Sequence, residues 1–235
     1  MNNAIDEFLR RLRSEWLPSF CAARAEDFQP EGFLEGSVQT LSEYDAEWFL
    51  KAVDGKLVVE NAGIFRGKNG AIRDQIFWSG RRGSNVRALT LWVEPVITIG
   101  AVARLVMTFG WPPEFVSSQP SSPSPFDFSC FVPSSKFKRI LGEVKKTDTE
   151  LEALIWSMKV MGTHLPFDVE PSKRAERNAY RKVVGLRARW PDFFWALGPQ
   201  VIGAVYSIRR VGPTEFFEMD LVSEGFLDFA TPQQK

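Results

Sequence analysis

The sequence is poor in the residues that most often carry chemistry alone. It holds one histidine, His164, two cysteines, Cys21 and Cys130, and three tyrosines in 235 residues. Two cysteines make neither a disulfide framework nor a cysteine-based zinc site, and they read as reduced thiols of a cytoplasmic protein. A Ser-His-Asp triad would have to use His164, and the G-x-S-x-G elbow that would support one is missing. A loop histidine at a helix end accounts for it. There is no run of about 18 apolar residues, so no membrane-spanning helix is expected. Met1–Glu7 has no basic stretch followed by an apolar one, so it does not read as a secretory signal. Gly67-Lys68-Asn69-Gly70 lacks the order of a phosphate-binding Walker loop. Repeats of 20–50 residues are also missing. Net charge is absent too, with 29 basic and 29 acidic side chains, which excludes a uniformly basic nucleic-acid binder.

What is present is globular composition, 44% hydrophobic and 25% charged, in a length that fits one domain or a core with an N-terminal addition. The charge balance hides a segregation. Residues 1–60 carry a net −6, residues 61–92 a net +5, residues 93–171 a net −2, residues 172–190 a net +6 and residues 191–235 a net −3. Either basic cluster alone could be a solvated face. Two clusters flanking an acidic middle fit a phosphate-contacting surface.

Periodicity predicts a helix over 4–17, with Ile5, Phe8, Leu9, Leu12 and Trp16 on one side and Pro18 ending it. A short helix over 43–53 and strands over 56–60 and 72–78 follow. Residues 94–109 read as a helix opened by Pro95 and ended by Gly110. The serine- and proline-rich stretch 117–125 must be loop. Strands are expected over 126–132, 139–145, 192–197, 204–209 and 215–221. Thr147 and Glu150 form a capping box that opens a helix ending at Gly162, and 172–189 is a basic helix. This order indicates an α/β fold, divided into an N-terminal α+β region over 1–92 and a domain over 93–235. Most of the aromatic residues are expected in the core, with Trp78, Trp111 and Trp190 as alternatives for stacking on bases.

One constellation carries chemistry. Pro125-Phe126-Asp127 is followed by Gly142-Glu143-Val144-Lys145, with fifteen residues between Asp127 and Glu143. Glu143 and Lys145 are two apart on a predicted strand, so they leave the same face. Asp127 on a neighbouring strand can point at the same spot. Two carboxylates offer hard oxygen ligands to Mg²⁺. A lysine beside them can position or deprotonate water and offset negative charge. Such a site suits metal-assisted phosphodiester hydrolysis. A surface salt bridge on an edge strand is the other account of Glu143 and Lys145, but the apolar residues around them indicate a buried strand, where charges need partners.

These residues resemble the PD-(D/E)xK nuclease superfamily, whose pattern is an aspartate on one strand followed by (Asp/Glu)-x-Lys on the next. The likeness covers residues 94–210, about half of the chain. It implies a restriction-endonuclease-like core, a central mixed sheet flanked by helices, with the α+β addition in front. It implies catalytic roles for Asp127, Glu143 and Lys145, with Asp127 and Glu143 holding Mg²⁺, or Mn²⁺ in its place. Glu94 would supply the acidic residue of the preceding helix. It implies a nuclease acting on DNA, in bacterial restriction or phage defence, whose phosphate grips would be Lys182, Arg181 and Arg189 on the basic helix, with Arg81 and Arg82 as a second grip. A homodimer would suit cutting both strands, and a protein partner could instead engage the N-terminal region. The competing expectation is a non-catalytic nucleic-acid-binding or protein-interaction module that keeps the fold. Pro166-Phe167-Asp168 repeats the tripeptide but lies after the E-x-K motif, in the wrong order.

Overall fold

The computed structural model describes residues 3–24, 27–68, 70–80, 86–118, 124–132, 139–163, 170–200, 203–212 and 216–229. The chain divides into two compact units, Met1–Arg104 with Pro199–Val201, and Leu105–Gly198 with Ile202–Lys235. The boundary expected at 92/93 falls instead inside a helix. Among the described residues no helix is long and apolar enough to cross a membrane.

The first unit opens with helix α1 (Ala4–Arg11), a five-residue π turn over Leu12–Trp16, and α2 (Leu17–Ala22). Asn3 caps the start by accepting from Asp6 N–H at 2.8 Å. Pro18 does not stop this run. The π turn, closed by Leu17 N–H on Leu12 O, shifts the hydrogen-bond register just ahead of it. Pro18 then takes the first turn of the next segment, where a missing N–H costs little. Helix α3 (Glu43–Asp54) is capped by Ser42, whose Oγ accepts from Asp45 N–H. Strands β1 (Val58–Asn61), β2 (Ile64–Gly67) and β3 (Arg73–Gln75) form an antiparallel sheet. Strands β4 (Phe77–Ser79) and β5 (Leu89–Leu91) form a second, two-stranded sheet. The single strand expected over 72–78 is therefore two, broken at buried Ile76, whose carbonyl turns to Trp92 N–H at 2.7 Å. Phe8, Trp16, Phe49 and Phe65 meet edge to face at 4.9–5.4 Å and make an aromatic core. Helix α4 (Val93–Met107) follows.

The second unit is built on a six-stranded mixed sheet. Its strands are β6 (Val116–Ser118), β7 (Phe128–Cys130), β8 (Ile140–Val144), β9 (Phe193–Leu197), β10 (Gly203–Val211) and β11 (Phe216–Val222). Their spatial order follows the chain, and every neighbouring pair is antiparallel except β8 and β9. A parallel pair needs a long crossover, supplied by α5 (Asp148–Gly162) and α6 (Arg174–Arg189). Thr147 Oγ1 accepts from Glu150 N–H at 3.2 Å and starts α5 as its sequence predicts. Both central strands are buried along their whole length, as a parallel pair covered on both faces requires.

The two sheet faces divide cleanly by alternation. Leu141, Phe194 and Ala196 face the crossover helices, whose Leu151, Leu154, Ile155, Met158, Ala179, Val183 and Leu186 cover them. Trp195 and Phe128 lie on the opposite face, 5.6 Å apart and edge to face, with Phe109 against Trp195 at 5.9 Å. Trp111 is buried, packs edge to face on Phe229 and donates from Nε1 to Leu227 O at 2.7 Å, so it stacks on no base. Trp190 is packed against Phe217 and Arg210, while Trp78 is exposed. Cys21 and Cys130 are free and buried.

Candidate active site

The strand β8 carries one charged residue among ten in the central pair, and that residue is Glu143. Its register partner on β9 is Ala196, which faces the crossover helices. Glu143 therefore points at α6, and it is 1% exposed. A carboxylate so deep needs compensating charge. Two ammonium groups provide it. Lys145 Nζ donates to Glu143 Oε1 at 2.5 Å and to Val144 O at 3.0 Å. Lys182 Nζ, from α6, donates to the other oxygen, Oε2.

Asp127 stands just ahead of β7. Its backbone N–H donates to Gly142 O at 3.0 Å, which extends the β7–β8 ladder by one bond. Its Oδ2 accepts from Val144 N–H at 2.7 Å. The aspartate is thus fixed to the backbone between Glu143 and Lys145. Burial, and then the neighbouring Glu143 carboxylate, push its pKa up to about 7, against the opposing pull of Lys182, the Val144 N–H and Lys145. Glu143 and Lys182 form the floor of the site. Asp127 and Lys145 are the half-buried members, with the Lys145 side chain 17% exposed.

Two glycines allow this close approach. A β-carbon at Gly142 would come within 1.9 Å of Phe128 Cζ. One at Gly185 would come within 2.8 Å of both Pro125 and Phe126. The second glycine lets α6 settle on the segment carrying Asp127, and Lys182 follows by one turn.

The structure thus brings Asp127, Glu143 and Lys145 together at the end of β8, as their spacing predicts. It corrects the expectation for Lys182. That residue is 4% exposed and reaches Glu143, so it is no surface grip on phosphates. The signal was present in the sequence: Lys182 falls inside the apolar stripe Ala179, Val183, Leu186 at helical spacing, and a lysine there is buried with α6. Arg181, one position back, is exposed and pairs with Glu170. Arg189 is half-buried, and its carbonyl accepts from Arg139 Nη1. Glu94 belongs to the first unit, where its carboxylate accepts from Trp92 Nε1 at 2.9 Å. Arg81, Arg82, His164 and Pro166–Asp168 lie outside the described residues.

The donor set fits a divalent cation of the Mg²⁺ type. Both side chains are carboxylates, and an ion at Glu143 would share its oxygens with the two ammonium groups already on them. Among the described residues no three His, Cys, Asp or Glu side chains gather into a cage. Mg²⁺ is commonly held by one or two carboxylates, with water and substrate phosphate completing its shell. Comparison of the chain with protein-family models, curated proteins and solved structures finds no match.

Proposed function

We propose that this chain is a divalent-metal-dependent nuclease that hydrolyses phosphodiester bonds, with DNA as substrate and a restriction-endonuclease-like core, acting in restriction or phage defence. The observation that carries this reading is the convergence of Asp127, Glu143 and Lys145 around the end of β8, with the two carboxylates near enough for one to hinder ionisation of the other. Asp127 and Glu143 would hold Mg²⁺, or Mn²⁺ in its place. The ion, when bound, supplies Lewis acidity toward the oxygens of the scissile phosphate. Lys145 is the catalytic lysine; its partly exposed ammonium orients the attacking water and offsets charge that develops on the phosphate. Val144 N–H holds the Asp127 carboxylate in place, so the site's geometry is set by backbone rather than by a loop.

The test is cleavage of plasmid and oligonucleotide substrates with Mg²⁺ or Mn²⁺, wild type beside Lys145→Ala and with EDTA as control. Cleavage that needs the metal and falls by about 10²–10⁴-fold in the variant is expected. Equal cutting by Lys145→Ala would remove that residue from the mechanism.

A second reading, a nucleic-acid-binding module that keeps the fold without cutting, is favoured by one observation. Both Glu143 oxygens are already engaged by lysine ammonium groups. Salt-dependent DNA binding with no metal-dependent cleavage would select it.

A further inference from the structure

The Glu143 carboxylate is held asymmetrically. Lys145 lies at the strand end with its side chain partly exposed, and donates to Val144 O as well as to Glu143. The Lys182 side chain is buried. Its neighbours Ala179, Val183 and Leu186 anchor that side of α6 in the core. Its ammonium also sits 5.3 Å above the Phe126 ring, a second source of attraction for the cation. Gly185, one turn on, is locked against Pro125 and Phe126. The cation on Oε2 is therefore a fixture of the folded unit. In two-metal sites a carboxylate bridges ions about 3.5–4 Å apart, one toward each oxygen.

We propose that Lys182 is a built-in cation that stands in the place of a second divalent ion on Glu143, so that the site takes one ion per chain. This rests on the metal-dependent reading above and names the cation economy of the same site. It also gives the two lysines different tasks: Lys145 faces the substrate, and Lys182 is a positioning residue that fixes the charge and rotamer of Glu143.

The experiment is metal binding to the full chain, read by titration calorimetry and by counting bound Mn²⁺ from its paramagnetic resonance signal, without any activity measurement. Wild type should bind one Mn²⁺. Lys182→Met, which keeps an unbranched side chain one atom shorter and removes its charge, should bind a second ion or hold the first at least tenfold more tightly. Lys182→Gln serves as the second charge-removing variant should the methionine protein fail to fold, and Lys182→Arg should keep the wild-type behaviour. Two ions on wild type would overturn the proposal. So would charge-removing variants that match wild type in number of ions and, within about threefold, in affinity, while leaving the metal-dependent reading intact. Absence of binding by wild type and all variants would remove both together.

Discussion

Phe128 occupies the space that a side chain at Gly142 would need, with its Cζ 1.9 Å from where a β-carbon would stand. The two are register partners on β7 and β8, and Phe128 in turn packs edge-on against Trp195. The glycine that precedes Glu143 is therefore a packing requirement of the sheet, while the chemistry begins one residue later.

Gly142→Ala should destabilise the protein by about 1–3 kcal/mol, the usual cost of overpacking a filled core. Phe128→Leu in the same chain should return part of that loss, since the clash is with the ring. Urea midpoints of wild type, both single variants and the pair test this coupling. Strictly additive effects would mean that the two side chains do not compete for one space.

Glu143→Gln removes the carboxylate charge to which Lys145 and Lys182 both donate. Lys182 would remain buried with no carboxylate on its ammonium, and breaking a buried pair in this way costs about 3–5 kcal/mol. Glu143→Gln should therefore lower stability far more than Lys145→Ala, whose ammonium is partly solvated. Similar denaturation midpoints for the two variants would contradict the burial described here.

Asp127 gives the metal-free protein a pH signature. Its folded pKa, raised to about 7 from 3.8, makes its ionisation unfavourable in the native state. Its contribution to stability is fully present below the unfolded value and is lost as pH rises through about 7. The stability difference between wild type and Asp127→Asn should therefore shift against wild type between about pH 4 and 7 and then level off. Denaturation of both proteins in EDTA across that range measures it. A difference that does not vary with pH would show that Asp127 titrates alike in both states.

Arg181 is exposed, pairs with Glu170 and lies on the helix that supplies Lys182. If α6 meets a phosphate backbone, Arg181→Ala should weaken duplex binding to a similar degree for all sequences. It should also reduce the slope of log affinity against log salt by about 1. An unchanged slope would place the duplex elsewhere.

Five of the six strands in the second unit's sheet were legible because they carry strong local signals, whereas Ser117 and Ser118, read as the start of a loop, belong to β6. The Phe193–Leu197 run and the apolar residues around Glu143 announce buried strands, and Thr147 with Glu150 announces the start of α5. Asp127 and the E-x-K pair were legible through spacing alone, since alternation puts Glu143 and Lys145 on one face. Two kinds of information were not local. The break at Ile76 depends on a hydrogen bond to Trp92, sixteen residues away, which no window over 72–78 contains. The role of Lys182 depends on which side of α6 meets the sheet, and the crossover sets that. Reading α6 as a basic helix weighed its charges together, whereas the apolar stripe separates Lys182 from Arg181. Pro18 misled for a related reason, because a π turn ahead of it relieves the usual conflict between proline and helix.

The parallel pairing of β8 and β9 also orders events in time. β9 cannot join β8 until the whole crossover has been made, and Lys182 lies within that crossover, 39 residues after Glu143. At synthesis rates of about 5–20 residues per second, Glu143 waits roughly 2–8 s for its permanent counter-charge. A ribosome-bound chain that ends short of α6 has Asp127 and the E-x-K residues but no means of burying the glutamate. The complete cluster arises only when the crossover closes, so a nascent or truncated chain carries Asp127, Glu143 and Lys145 without the buried Lys182 pair.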